Sequence, residues 1–432
     1  MNMNSIYVDN LKLTPYWWEA APRAEVQCEE LPARADTVIV GSGYSGLTAA
    51  VTLAEAGQNV VVIDAGALGV GASTRNGGAI GATLRYSFAT LVGKVGLENA
   101  VRFYKAAVRS REFVFDLIES RGIDCGLERC GRFYGAHKPE DYESLARDMD
   151  LRTKHLGATA HMVSRAEQRA YVGTNEYFGG RLMPEDGHLH PGLYHDGLVD
   201  QARRAGVTLV SNCRVKCIGG TLGQFDIDTQ QGMIRAKRAI VATNAYTGAE
   251  FGWFRRRLVP IQSQIIATEP LPPDVVGSVI PRGHQIGDTC KLHNYYRTSP
   301  DGTRILFGGR SGASQVNDFR RSGRSLHRRM RTLFPQLEPY KITHSWGGFI
   351  AFTFDHFPHM TERNGIHYIG GCCGSGVAMQ SYLGHETAKK LLGGSWEQAF
   401  DRPYATQMFY TGNPWFMPAI IGFLEARDRL RI

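Results

Sequence analysis

Apolar and polar positions along the chain follow two periods. Asp36 to Val40 form a short apolar run, Ser45 to Ala56 are rich in Ala and Leu, and residues 59–64 read NVVVID. The two flanking runs are short, β-branched and continuously apolar, as strands covered on both faces are, and the middle segment has the length of a helix. A strand, helix and strand in this order predict a βαβ unit in a parallel sheet.

The segment 94–121 repeats its apolar residues at spacings of three and four and predicts a long helix. Further helices are predicted over 139–156, over Gly192–Ala205 after the loop PEDGHLHP (184–191), and from Val377 to Leu392. Strand signals fill 207–220, 238–243, 259–268, 292–299, 304–309 and 366–371. Within 319–335, Leu326, Met330 and Leu333 mark the buried stripe of a helix whose other face carries Arg320, Arg321, Arg324 and Arg328. Residues 1–35 read as an irregular arm, which Trp17 and Trp18 are expected to pin to the body. No repeat or linker divides the chain, and the interleaving of helical and stranded segments predicts two domains built from interrupted stretches.

Composition narrows the class. The chain has 432 residues, 43% of them hydrophobic, enough for two or three domains at roughly 150 residues each and too many for a disordered chain or a disulfide-stapled miniature. Lys and Arg number 49 against 41 Asp and Glu, a formal charge of +8. The excess gathers at Arg255–Arg257 and in the 319–335 helix, where a solvated helix face accounts for it, so nucleic acid is not the expected partner. Eight cysteines (28, 125, 130, 213, 217, 290, 372 and 373) contain no Cys-x-x-Cys pair and point to a reducing compartment. The first residues lack a basic start followed by an apolar core, and no run of about 18 apolar residues occurs. The expectation is a cytoplasmic protein with no membrane partner; the sequence sets no oligomeric state.

Glycine alone departs from ordinary usage: 50 residues, where about 7% would give roughly 30. Ten lie within 41–81 and eight within 365–394. The first group opens with Gly41-Ser-Gly43-Tyr44-Ser45-Gly46, a Gly-x-Gly-x-x-Gly sequence between an apolar strand and a helix. Gly41 permits the tight turn, Gly43 lets backbone approach a pyrophosphate, and Gly46 lets the helix pack closely on the strand. Asp64 follows Gly41 by 23 residues at the end of the next strand, where a carboxylate binds ribose hydroxyls. This spacing predicts a dinucleotide and leaves NAD and FAD both open. A second glycine-rich loop, 69–81, carries Ser73, Thr74, Arg75 and Asn76 and offers backbone donors and one cation to a diphosphate or to a ring that gains negative charge.

The fingerprint, the GASTRNGG loop, RAIVATNAY (238–246), WGGFIAFTFDHFPHM (346–360) and GGCCGSGVAMQSYLG (370–384) occur in the order seen in the D-amino-acid oxidase superfamily of FAD enzymes, which the chain resembles over nearly its whole length. Within it, the chain is most similar to the γ-glutamylputrescine oxidoreductase branch, related to glycine and sarcosine oxidases. The resemblance implies an α/β plus α+β fold: a Rossmann-like FAD-binding domain (36–90, 190–250 and 345–432) interleaved with a substrate domain on an antiparallel sheet (91–189 and 251–344). Carried over by position, Gly41, Gly43, Tyr44, Ser45, Gly46, Asp64 and Ala65 would hold the ADP half, with Val215 at the adenine. Ser73 and Thr74 would approach the diphosphate, Arg75, Asn76, Gly77 and Gly78 would border the flavin, and Gly374, Ser375, Gly376, Val377 and Ala378 would close over it.

The implied activity is oxidation of an amine C–N bond by hydride transfer to flavin, giving an imine that hydrolyses to aldehyde and amine. Tyr295, Tyr296 and Trp346 are the candidate pocket walls; neighbours on a strand point oppositely, so one tyrosine is expected inside. Three departures from sarcosine oxidase matter. Gly348 replaces the flavin-linking cysteine, implying noncovalent FAD; Ala378 replaces the carboxylate-binding lysine, implying a substrate without a carboxylate beside the amine; Phe307 replaces the oxygen-activating lysine, so the acceptor is either oxygen or a redox carrier. His188, His190 and His195, and Asp355, His356 and His359, are spaced like metal ligands, yet the first set lies in a Gly/Pro-rich loop and no metal is expected. Cys372 and Cys373 are read as small buried side chains under a tight turn. Two other functions stay open: a flavoprotein that modifies tRNA or another nucleic acid, and an FAD-bearing subunit that passes electrons to a partner.

Overall fold

The computed structural model describes residues 6–23, 29–310 and 318–430; Cys28 lies outside them. Two large sheets organise the chain. In the first, strands Arg34–Val40, Val60–Ile63 and Thr208–Val210 run parallel in that order, and Gly232–Val241 joins the other side of Arg34–Val40. The meander Val215–Thr221, Gln224–Thr229 and Gly232–Val241 extends it, and Ile366–Gly370 pairs parallel with the end of Gly232–Val241. Helices Tyr44–Glu55, Leu97–Arg121, Pro191–Arg204 and Gly376–Leu391 share one apolar core with it.

The second sheet has nine strands in the order Tyr7–Lys12, Ile342–Phe352, Val259–Thr268, Ile305–Gly309, Asn294–Thr298, Gln285–Asp288, Arg132–Gly135, Gly180–Met183 and His161–Val163. Most neighbours are antiparallel. Helix Phe319–Leu333 buries Leu326, Met330 and Leu333 against it, and its start is capped by Asp318, which accepts from the Arg321 amide at 2.9 Å. None of the described helices is long and apolar enough to cross a membrane.

Four expectations change. The described part of the 1–35 arm is not irregular throughout: Tyr7–Lys12 is an edge strand parallel to Ile342–Phe352, Tyr16–Ala20 is a short helix, and Arg34 and Ala35 already belong to a strand. The pattern is masked in sequence because an edge strand covered on one side keeps polar residues. The 94–121 helix is two helices, Phe88–Val95 and Leu97–Arg121, broken at Gly96, whose φ of +79° no helix accommodates. The 345–432 stretch does not belong to one domain, since Ile342–Phe352 pairs along its length with Val259–Thr268 in the nine-stranded sheet. Helix Leu97–Arg121 likewise falls in the core of the first sheet rather than with the second.

Candidate functional site

Strand Arg34–Val40 delivers Gly41 to the carboxyl edge of the parallel sheet, where open α/β folds bind ligands. Gly41 has φ +106°, and a Cβ there would lie 3.0 Å from the Ala242 carbonyl oxygen. A Cβ on Gly46 would lie 1.9 Å from the Gly41 carbonyl oxygen, so Gly46 serves the packing of helix on strand and is not on the cavity wall. Helix Tyr44–Glu55 has no side-chain cap from its N-cap Gly43; the Tyr44 amide donates instead to Ser73 Oγ at 3.1 Å, and Gly43, Tyr44 and Ser45 line the cavity. Asp64 Oδ2 accepts from the Ser42 amide (2.9 Å) and hydroxyl (2.6 Å), and Oδ1 accepts from the Gly66 amide (3.0 Å). Behind the turn, Arg23 donates to His195 Nδ1 at 2.8 Å; His195 Nε2 therefore carries the proton and donates to the Ser42 carbonyl at 2.8 Å.

Three indoles support the second glycine-rich loop. Trp17 Nε1 donates to the Asn76 carbonyl (2.8 Å), Trp18 Nε1 to Thr74 Oγ1 (3.0 Å) and Trp346 Nε1 to the Arg75 carbonyl (3.0 Å). Within the loop, Asn76 Oδ1 accepts from the Gly78 amide at 2.7 Å, and Arg75 donates to the Val70 carbonyl (2.7 Å) and, across to the second sheet, to the Gly347 carbonyl (3.3 Å). Ser73, Arg75, Asn76 and Gly77 line the cavity. Thr74 does not: it is fully buried, donates to the Gly69 carbonyl at 2.7 Å and accepts from Trp18, because the loop needs an internal partner for that carbonyl. Gly78 is also behind the wall, where a Cβ would lie 2.0 Å from the Leu189 carbonyl oxygen.

The late turn meets this loop from the other end of the chain. Cys372 to Val377 line the cavity, with Cys373 at φ +48° and Gly374 at φ +104°. Helix Gly376–Leu391 also starts without a side-chain cap. Its Gly384 faces the fingerprint helix so closely that a Cβ would lie 2.1 Å from the Ser45 carbonyl oxygen, which brings both helix N-termini to one cavity. Ala378 points into the core instead, one helical position off the wall. Gln380 is buried on the wall and neither of its amide atoms has a hydrogen-bond partner among the described residues. Burial pushes the Cys373 thiol up to about 12, so it stays protonated at neutral pH.

On the second sheet, Tyr295 and Tyr296 diverge. Tyr295 lines the cavity against Gly77, with its hydroxyl 3.0 Å from Ser263 Oγ. Room for its ring comes from Gly308, where a Cβ would lie 2.2 Å from it. Tyr296 points to the opposite face, stacked on Phe307 at 5.3 Å with its hydroxyl 3.1 Å from that of Tyr177. Trp346, expected as a wall, is 0% exposed and packs with Trp17 and Ile265 beneath Arg75; Gly348, Phe349 and Ile350 form that wall instead. The strand's alternation is interrupted by Gly347 and Gly348, which hid which residues face inward.

A single cavity of about 810 Å³ joins these parts. It reaches from Asp64, Ala65 and Val215 at the fingerprint end, past Tyr295, to Arg132, Tyr134, Asp148, Arg152, Arg181 and Gln285. The last group was not predicted, because its members come from elements far apart in sequence and no motif joins them. Asn244 lies within the quoted RAIVATNAY stretch, a non-glycine residue at φ +44° that accepts from the Gly371 amide at 2.9 Å. The histidines have separate tasks. His190 caps helix Pro191–Arg204 by accepting from the Leu193 amide (3.1 Å), His195 holds Ser42, and His359 Nε2 lies 2.9 Å from Asp355.

The sequence profile of the family described as FAD dependent oxidoreductase matches residues 36–390. The chain is 32% identical to the probable oxidoreductase OrdL of Rhizobium meliloti (strain 1021) over 385 residues, 88% of this chain and 89% of the relative. It is 30% identical to the γ-glutamylputrescine oxidoreductase of Escherichia coli (strain K12) over 362 residues, 83% of this chain and 84% of the relative. Among solved structures, glycine oxidase from Geobacillus kaustophilus is similar with TM-score 0.70 at 21% identity, covering 87% of this chain and 99% of that one.

Proposed function

This chain belongs to the FAD-dependent oxidoreductase family, and from that premise we propose that it oxidises a C–N bond of a small amine or amino-acid-like substrate, holding FAD noncovalently. The observation that carries the reading is the continuity of the cavity from the fingerprint to Tyr295. Its polar groups fit the cofactor: two helix N-termini for the diphosphate and the ring, the acceptor Asp64 for a ribose hydroxyl, and the orphaned Gln380 amide for a polar group near the late turn. Gly41, Gly43, Tyr44, Ser45, Asp64, Ala65 and Val215 would hold the ADP half; Ser73, Arg75, Asn76, Gly77 and Gly374–Val377 would border the flavin. Bound flavin supplies a two-electron acceptor for the hydride on the carbon beside the amine, leaving an imine that water hydrolyses to aldehyde and amine.

The chain's own part is positional and electrostatic. Arg85, Lys291 and Arg310 line the same cavity as Tyr295, and positive groups there favour the neutral amine that oxidation requires. Tyr295 and Ser263 provide hydroxyls that can orient a nitrogen. Gly348 stands where a covalent link would form, and Phe307 is buried away from the cavity, which supports a redox carrier rather than oxygen as acceptor. A second reading, an FAD-bearing subunit that hands electrons to a partner, is favoured by the outward-facing Met408, Phe409 and Trp415, exposed by 89%, 84% and 72%.

The test is anaerobic reduction of the purified yellow holoprotein by a panel of polyamines, γ-glutamylated amines, N-methyl amino acids and amino acids. Bleaching by one of these classes is expected; a flavin that none of them bleaches defeats the amine reading. Acid precipitation is expected to release the flavin to the supernatant, and stopped-flow mixing with air-saturated buffer is expected to reoxidise it slowly.

A further inference from the structure

Residues 403–424 contain no Asp, Glu, Lys, Arg or His. Uncharged polar side chains are exposed at Thr406, Gln407, Thr411 and Asn413, and large apolar ones stand out beside them. Met408 and Phe409 form the tip of a turn, Trp415 lies just ahead of helix Met417–Leu430, and Ile420 and Phe423 project from that helix into solvent. The inner side of the helix is apolar too: Met417 and Ile421 are buried against Val259, Ile261, Leu292 and Phe352. Its first turns are therefore apolar on both sides. Packing on the body requires only one such side, and a second, solvent-facing one marks a surface that something else covers.

The tips are held out by the fold. Tyr410 donates to the Leu258 carbonyl at 2.9 Å, and Asp428, in the last turn of the helix, accepts from the Lys291 and Leu292 amides, both at 2.7 Å. Ile350, Phe352 and Cys373 belong to the same apolar cluster and line the cavity, so the patch lies on the outside of the chamber wall.

Arginines border it. A Cβ on Gly412 would lie 2.7 Å from Cγ of Arg255 and 3.1 Å from its Nε, Arg256 is exposed next to it, and the Arg427 guanidinium lies 6.0 Å from the Phe423 ring centroid. Of the acidic residues that flank the segment in sequence, Asp401 accepts from Lys390 (2.7 Å) and Trp396 (2.9 Å), and Glu425 is half-buried. Aromatic and apolar tips with guanidiniums around them suit a lipid surface, where rings enter the boundary of headgroups and acyl chains and arginines meet phosphates. A fluid anionic surface supplies both kinds of contact without matched shape. Spanning a bilayer takes a long apolar helix, which none of the described helices is, but lying on one takes only an apolar face with a basic rim.

We propose that residues 407–424 dock this protein on an anionic lipid bilayer, with Met408, Phe409, Trp415 and Phe423 entering the interface and Arg255 and Arg256 contacting lipid phosphates. This gives the Arg255–Arg257 cluster of the sequence a task that the flavin chamber does not. It is independent of the amine-oxidising reading, and failure of either leaves the other standing.

The test is flotation of the holoprotein with vesicles of phosphatidylcholine alone or with about 30% phosphatidylglycerol added, which sets the surface potential. The wild type should float with the anionic vesicles, bind the neutral ones about tenfold less or weaker still, and come off the anionic ones as salt is raised. Phe409→Ser combined with Trp415→Ser should bind about tenfold less or weaker still, as loss of two large apolar contacts implies, with flavin content and thermal midpoint unchanged because both side chains are exposed. Arg255→Gln and Arg256→Gln should each weaken binding about fivefold. Leu222→Ser, at a leucine 62% exposed on the meander of the first sheet, should bind like the wild type. Bromolipid should quench tryptophan emission in the wild type and much less in Trp415→Phe. Absence of flotation with either vesicle overturns the proposal and returns the face to a protein partner, and so does binding that the Phe409/Trp415 variant retains or that Leu222→Ser loses. A wild type that dimerises through Phe409 and Trp415 and ignores vesicles also overturns it, in favour of a second copy of the chain.

Discussion

The two ends of the cavity are built from different material. At the fingerprint end the wall is mostly main chain: Gly41, Gly43, the first turn of helix Tyr44–Glu55 and the turn before helix Gly376–Leu391. At the far end it is side chain: Arg132, Tyr134, Asp148, Arg152, Arg181 and Gln285, drawn from four elements. A ligand held by main-chain donors requires that no Cβ intervene, so its site appears as glycines at fixed offsets. A ligand held by side chains requires only that the right groups converge, and their spacing in sequence is arbitrary.

The contrast is sharpest in what a single atom does at each end. Gly46→Ala places a Cβ 1.9 Å from the Gly41 carbonyl oxygen and should leave about tenfold less flavin per protein after purification, read from the flavin-to-protein absorbance ratio, as strain at such a position predicts. R181Q, at the other end, should keep its flavin; a flavinless R181Q that still folds would break the comparison.

Next in size is a test of whether the fingerprint end is main chain alone. Trp346→Ala removes a fully buried indole and its bond to the Arg75 carbonyl and should cost about 3–5 kcal/mol in denaturant unfolding, as large-to-small changes in cores do, whereas Trp346→Phe should cost about 1 kcal/mol, the worth of one hydrogen bond. Loss of flavin from a Trp346→Phe protein of normal stability would mean that the loop depends on that side chain for its shape.

A smaller effect separates the adjacent tyrosines. Tyr295→Phe loses a hydroxyl bonded to Ser263 on the cavity wall and should change the rate of flavin reduction by an amine with unfolding unchanged. Tyr296→Phe loses a buried hydroxyl paired with Tyr177 and should lower stability by about 1 kcal/mol with the rate unchanged.

A further test is of pH dependence. Burial and the nearby Arg297 lower the pKa of His190 to about 4, against 6.5 ordinarily. The unfolded chain therefore takes up this proton first as pH falls, so stability declines from about pH 6.5 down to about pH 4 and levels below. His190→Asn keeps a helix-capping acceptor and should flatten that decline in the thermal midpoint; an unchanged slope would show that His190 does not titrate in this way.

Much of the first sheet was readable because its strands are continuous apolar runs and its turns are glycine. The fingerprint, Asp64, the second loop and the late turn were legible for the same reason. Thr74, Gly46, Gly78 and Ala378 sit among residues that line the cavity and do not line it themselves; one position along a loop or helix turns a side chain from cavity to core. Trp346 was misplaced by a similar step, and the edge strand Tyr7–Lys12 was missed because it is covered on one side only. The arginine lobe left no trace in sequence.

Residue order alone is enough for the strand, glycine turn and helix over Arg34–Glu55, for the apolar segments that pack beside it, and for the two glycine-rich stretches that line one cavity, since each rests on local backbone geometry. Only the tertiary structure decided which of Tyr295 and Tyr296 faces the chamber, that three indoles hold the Thr74–Asn76 loop, and that three arginines converge at its far end. Those arrangements depend on strand register and on packing between residues far apart in the chain, and the spacing of residues along the sequence carries neither.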